Sequence, residues 1–292
     1  MCFMKKTLFL IILSTVTLAL KAQQSILFKI KYSPDHSYKS NIKMDMNMVM
    51  DITGDSVKMN KIKAKGVKLP MLMISTTLMN LEVKSGSFKP DGYFPMIFKY
   101  VDIDAVQTLN GKESPKAPNP LVGQLIYAKG TKDGKIQVDS ISGKSLDNQL
   151  KSTVSSMIDN LSKEVQFPEK PLNIGETFDQ EVPLNMPIAG VNMQFTIKIV
   201  YKIVKVENGS AFFDLDESMT LNMSDQNDRM SMTASGAGNG GGKLVYSIAQ
   251  NFATSMSSDL DFKLKMLIQD MTMNVTAKIS SLNKTEISAE EK

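Results

Sequence analysis

The sequence predicts a mainly β protein: one large curved antiparallel sheet, a half-barrel or open barrel, with one long amphipathic helix packed on its concave face. Three observations carry this expectation. Apolar and polar residues alternate with period two over most of the chain. Ile42, Met44, Met46, Met48, Met50 and Ile52 are one such row; Met271, Met273, Val275, Ala277 and Ile279 are another. This is the pattern of strands with one dry and one wet face. Tight-turn sequences separate the rows, so successive strands return antiparallel. Only Ser145 to Gln166 has convincing helical spacing. Two β-sandwich-like halves are the alternative.

Taken in order, Ile26 to Tyr32 alternates as an opening strand, and Pro34-Asp35-His36 turns the chain. Ser40 to Ile52 is a long half-buried strand, ended by Thr53-Gly54-Asp55. Ser56 to Lys65 is ambiguous between strand and loop. Val67 to Lys84 is extended, with Pro70 arguing for an edge or a bulge. Phe94 to Leu109 follows the Pro90-Asp91-Gly92 turn, and Asn110 to Pro120 is a polar loop. Leu125 to Ala128 and Lys135 to Ile141 form a hairpin around Lys132-Asp133-Gly134.

The helix comes next. Leu146, Leu150, Val154, Met157, Ile158, Leu161 and Val165 fall on one stripe of a 3.6-residue helix, which needs a sheet to lie against. Ser145 caps its start and Pro168 stops it. Phe178 to Met186, Met193 to Val206 and Ala211 to Met223 are strands, the last two joined at Glu207-Asn208-Gly209. The glycine-rich run Gly236 to Gly242 reads as a flexible hairpin or a bulged strand end. Lys243 to Ala249, Asp259 to Ile268 and Met271 to Leu282 complete the sheet.

The chain divides into a signal peptide at 1–22, a single β-rich domain at 23–282 and a flexible tail at 283–292. Lys5 and Lys6 supply the charged start, Thr7 to Leu20 the apolar run and Ala22 the small residue before the cut. This implies an exported protein, in the periplasm, outer-membrane-associated or secreted. The single cysteine, Cys2, leaves with the signal, so no disulfide is expected. Losing Lys5, Lys6 and Lys21 lowers the net charge from +4 to +1. With Arg229 the only arginine, nucleic acid is not an expected partner.

Ten of the 22 methionines stand in Met-x-Met pairs, which put two thioethers on one face of a strand. Flexible, polarisable thioethers suit either a plain core or a cavity for irregular apolar ligands. A Cu(I) site would want a histidine or cysteine as well, and the only histidine, His36, sits in a turn. No cofactor or metal is expected. Gly236 to Lys243 fails as a phosphate loop, because Ala237 stands for its first glycine and Leu244 for its serine or threonine. Asp214/Asp216 and Asp259/Asp261 are same-face pairs on the wet side. With no Gly-x-Ser-x-Gly elbow, an enzyme is not expected.

The segment Pro168-Glu-Lys-Pro-Leu-Asn-Ile-Gly175-Glu-Thr-Phe178, the signal ending Lys21-Ala22-Gln23 and the glycine-rich stretch before Lys243 resemble an uncharacterised family of exported bacterial proteins, a domain of unknown function. Phe178 stands where that family often has Trp. The strand–helix–strand pattern is also similar to LolA-like periplasmic half-barrels, which implies carriage of lipids or lipoproteins. These readings converge on a non-enzymatic envelope protein. It would bind a lipid, acyl chain or lipidated protein between helix and sheet and touch membrane surfaces only peripherally. Met44, Met46, Met48, Met50, Met271 and Met273 would line the site, faced by Leu146, Leu150, Val154, Met157 and Leu161. The alternative is an assembly module that binds a protein through a sheet edge or the polar face.

Overall fold

The computed structural model describes residues 25–64, 66–116, 119–142, 158, 165–188, 191–227, 230–268 and 270–290. The alternating rows become β1 (His36–Gly54), β2 (Met71–Ser85), β3 (Tyr93–Leu109), β4 (Lys112–Glu113), β5 (Leu125–Thr131), β6 (Ile136–Ile141), β7 (Thr177–Ile188), β8 (Val191–Glu207), β9 (Ser210–Asn227), β10 (Met230–Ser247), β11 (Phe252–Ile268) and β12 (Met271–Ala289). They form one antiparallel sheet in the order β6-β5-β3-β2-β1-β12-β11-β10-β9-β8-β7, with β4 beside β3. The sheet is continuous, which rules out two sandwich halves.

The order is that of two meanders joined at the middle. One runs outward from β1 to β6, and the other runs inward from β7 to β12. They meet where β1 pairs with β12 along its whole length, from His36↔Ala289 to Gly54↔Met271. β6 and β7 remain as edges, so the sheet is not a closed barrel. Pro183 and Pro187 in β7 fit an edge, where a missing N–H costs no ladder bond.

The sheet is nevertheless rolled. The Lys31 amide donates to Asn251 O in the β10–β11 turn at 3.1 Å. Lys31 Cβ also lies 3.1 Å from where a side chain on Gly134 would begin, in the β5–β6 turn. Laid flat, those two turns would be about 29 Å apart, six strand spacings. A crease along β10 contributes. Gly236, Gly238, Gly240 and Gly242 share its inward side, and a Cβ on Gly238 would lie 2.6 Å from Phe262 Cβ and 2.7 Å from Asp261 O. Only glycine lets β11 fold so closely over β10. The glycine run is therefore the interior of a strand, not a hairpin or a strand end.

Other expectations are corrected too. Ile26 to Tyr32 is extended but joins the sheet nowhere; it is a strap whose one bridge is Ile26↔Leu172. Its alternation is real, with Phe28 and Tyr32 buried against the sheet. Ser56–Ala64 is a helix, α1, with no buried residue. Asp55 caps it, its Oδ1 accepting from the Val57 amide at 2.8 Å. The tail expected from Asn283 continues β12 to Ala289, and the Glu290 amide donates to Asp35 O at 2.9 Å.

The predicted helix 145–166 lies outside the described residues except for Ile158, Val165 and Gln166. Ile158 is helical and 1 % exposed, in the cluster of Tyr38, Phe98 and Ile126. Val165 is buried in the cluster of Phe28, Phe213 and Tyr246. Among the described residues no helix is long and apolar enough to cross a membrane, which says nothing of strands.

Candidate functional site: the inner face of the sheet

Alternation sends one row from each strand inward, and burial sorts that face into three regions. At the end where β1 begins, aromatic side chains interlock. Tyr32 packs edge-on to Tyr38 and Phe252 at ring distances of 4.7 and 5.2 Å. Phe28 does the same with Phe213 and Tyr246, each at 5.2 Å. The strap is tied across them: Tyr246 Oη donates to Lys29 O at 2.6 Å, and the Ser33 amide donates to Tyr38 Oη at 2.6 Å. A cavity of about 20 Å³ between Tyr32, Ser40, Ile42, Asn283 and Thr285 is the small gap left under the strap, with room for one water.

At the opposite end the core is thioether-rich. Met48, Met219, Met232, Met266 and Met273 are buried together with Phe195 and Phe262, and Met46, Met50 and Met73 pack against them. The expected lining residues thus divide. Met48 and Met273 are core. Met46 and Met50 are half-buried at its margin. Met271 sits at the sheet's rim, its Cγ 3.1 Å from where a Gly54 side chain would begin. Met44 stands apart at 45 % exposed, although it is on the same face as Met48 at 3 %. Its cross-strand neighbours are Thr77 on β2 and Ser281 on β12, and beyond Thr77 stands exposed Ala105 on β3. Among the described residues, nothing covers the inner face at Met44 and Ala105, where β1, β2 and β3 run side by side. Leu146, Leu150, Val154, Met157 and Leu161 lie outside the described residues.

Among the described residues, one inward position holds a buried carboxyl. On β9 the inward row is Phe213, Leu215, Glu217, Met219 and Leu221, and Glu217 is 4 % exposed. Its Oε2 accepts from Ser258 Oγ at 2.7 Å, while Oε1 is buried without a hydrogen-bond partner. Burial pushes this carboxyl above the ordinary glutamate range; the Ser258 bond offsets part of the rise and the charge of Asp259 adds to it. The sequence carried the signal, because Glu217 has the parity of Leu215 and Met219, opposite to Asp214 and Asp216. Asp214 does face outward, paired with Lys243 at 2.6 Å.

The wet face holds a ladder of ion pairs, among them Lys198–Asp179 and Lys278–Asp261. A shallow hollow of about 560 Å³ lies on it beside Asn239, Asp261, Lys263 and Lys278. Among the described residues, no three of His, Cys, Asp and Glu cluster as a metal site. His36 is half-buried in its turn, its Nδ1 2.6 Å from Pro34 O. The Pro168–Phe178 segment is structural where it can be followed. The Gly175 amide donates to Ile203 O at 2.8 Å, and Glu176 Oε2 accepts from the Asn173 amide at 2.8 Å. Phe178 stacks on Tyr201 at 4.6 Å.

No family model matches the chain, and no curated protein does. Solved structures superpose only loosely, among them an outer membrane protein and an autotransporter β domain. The OccK5 (OpdH) structure of Pseudomonas aeruginosa is 7% identical, with 85% of this chain and 98% of that one covered, at a TM-score of 0.23. The outer membrane protein opdK of the same organism is 5% identical over 86% and 99%, at 0.17. The β domain of the Bordetella autotransporter Brka is 7% identical over 85% and 99%, at 0.18. At that level of superposition the likeness assigns neither fold nor function.

Proposed function

We propose that the protein is a non-enzymatic carrier of a hydrophobic molecule in the cell envelope, holding a lipid, an acyl chain or a lipidated protein against the inner face of β1 and β12. One observation carries this reading: the apolar row of β1 runs from sealed Met48 to open Met44 without leaving its face. A row that only filled a core would be covered throughout. Thioethers at the boundary can repack around an apolar guest at little cost. The envelope location rests on the Lys5-Lys6 start, the apolar run to Leu20 and Ala22. The pattern similarity to LolA-like half-barrels points the same way, as an analogy of folds.

The test is native mass spectrometry of the mature protein, with lipid analysis of an organic extract, and titration with the neutral probe N-phenyl-1-naphthylamine. A recovered lipid and a saturable fluorescence rise support the carrier. Met44→Lys should weaken probe binding at least fivefold with an unchanged melting temperature. A chain that is ligand-free in every preparation and silent to the probe ends the proposal.

A second reading is an assembly module that binds a protein partner. It is favoured by the wet face of β2, where Leu72, Ile74 and Leu78 are exposed, with Val49 of β1 opposite Leu72. Cross-linking that captures one stoichiometric partner through Ile74, with no lipid recovered, would select it.

A further inference from the structure

We propose that Glu217 and Ser258 form a polar anchor inside the apolar face, for an amphiphile whose head donates a hydrogen bond and bears no negative charge. This rests on the carrier reading and names the ligand class.

The residues argue it in three steps. First, among the described residues Glu217 pairs with no cation. Every ion pair among the described residues involves other carboxylates, on Asp45, Asp104, Asp133, Asp139, Asp179, Glu207, Asp214, Asp261, Asp270 and Glu290. Among the described residues its hydrogen-bond partner is a serine hydroxyl, and Oε1 is left as a buried acceptor with nothing to accept. Such an atom is normally satisfied, so one that is not asks what donor it awaits.

Second, the backbone is shaped to build this pair. Glu217 is on β9 and Ser258 on β11, with β10 between them. The intervening inward residues are Gly240 and Gly242. Having no side chains, they let β11 fold over β10 until Ser258 reaches the carboxylate of the strand beyond.

Third, the anchor is in line with the opening. Ser258 pairs with Ser281, and Ser281 pairs with Met44. The exposed thioether is thus two strand spacings from Ser258, about 10 Å. The next row runs Glu217, Gly240, Leu260, Ile279, Met46. A head at Glu217 would leave its tail among Leu260, Ile279, Met46 and Met48, all apolar.

Charge sets the selectivity. An alcohol or an amine can donate to Oε1, and an amine adds ion pairing. A carboxylate head brings like charge against Glu217 and cannot donate.

The experiment uses the mature chain at pH 7.5 with bound N-phenyl-1-naphthylamine, displaced by hexadecanol, hexadecylamine or palmitate. The anchor predicts that the alcohol and the amine displace at concentrations at least tenfold below palmitate. Glu217→Ala should narrow the gap to within twofold while the probe still binds. Glu217→Gln should keep the preference for the alcohol and lose the extra affinity for the amine. Should Glu217→Ala fail to fold, Ser258→Ala leaves the carboxylate in place but unfixed, and should cut the preference at least threefold. Equal displacement by palmitate and hexadecanol in the native chain overturns the anchor, as does a preference that survives Glu217→Ala. A chain that never binds the probe overturns the carrier reading itself, a result distinct from binding without selectivity.

Discussion

Where β1 begins, Tyr38 is 1 % exposed and lies between Tyr32 and Phe252 at ring distances of 4.7 and 5.1 Å; further along the same face of the same strand, Met44 is 45 % exposed. The first region is built from rigid rings whose hydroxyls are tied to the strap. The second is built from flexible thioethers, sealed at Met48 and Met266 and open at Met44. Rings specify a shape and give little when a neighbour changes, whereas thioethers tolerate it. The contrast teaches where this sheet is held and where it can accommodate something. The aromatic end fixes the roll of the sheet, and the methionine end supplies a surface that can change its fit.

The comparison breaks most sharply at its rigid end. Phe213→Ala, which empties a fully buried position between Phe28 and Phe167, should cost about 3–5 kcal/mol in chemical denaturation. A loss below about 1.5 kcal/mol would mean that the aromatic end is as forgiving as the other. Gly238→Val tests the crease by pushing a side chain into Phe262 and Asp261. Overpacking of this kind should cost about 1–3 kcal/mol. At the methionine end, Met219→Leu keeps volume and should cost less than about 1.5 kcal/mol in the same assay. Smallest of all is the wet face, where Lys243→Ala removes an exposed partner of Asp214. The expected change is about 0–1 kcal/mol, fading with salt.

The dependence on pH sharpens the picture within the apolar face. Folding raises the pKa of Glu217, so the folded state holds its proton more tightly than the unfolded chain. The contribution to stability is therefore greatest below the unfolded value, about 4.3 for glutamate, and is lost as pH rises through the raised folded value. Denaturant midpoints should fall with pH over that range, and Glu217→Gln should flatten the slope. A slope unchanged in the variant would mean that Glu217 is solvated.

Much of this was legible in the residues. Period-two rows and turn sequences name nearly every strand, and the Asn208-Gly209 turn has positive φ at both residues, at 49° and 73°. Three things were not legible. The strap alternates like a strand because its inner side is buried, but alternation does not report whether a ladder partner exists. The helix at Ser56–Ala64 buries no residue, so it has no apolar stripe to read. The glycines of β10 look like a loop because the reason for them lies in the backbone of β11, which is remote in the pattern. For the site, the methionine rows marked the face, but alternation cannot tell covered from open. Glu217 was visible by parity alone, as the charged residue at an apolar beat.

The pairing of β1 with β12 has a consequence for how the molecule is made. The first long strand to be synthesised has to wait for the last before its second edge is satisfied. A ribosome that has not yet released residues 271–289 therefore presents a sheet with its central seam unzipped. Closing that seam spans nearly the whole polypeptide, a high-contact-order step that is intrinsically slow. A chain built this way stays threadable until residues 271–289 have been delivered.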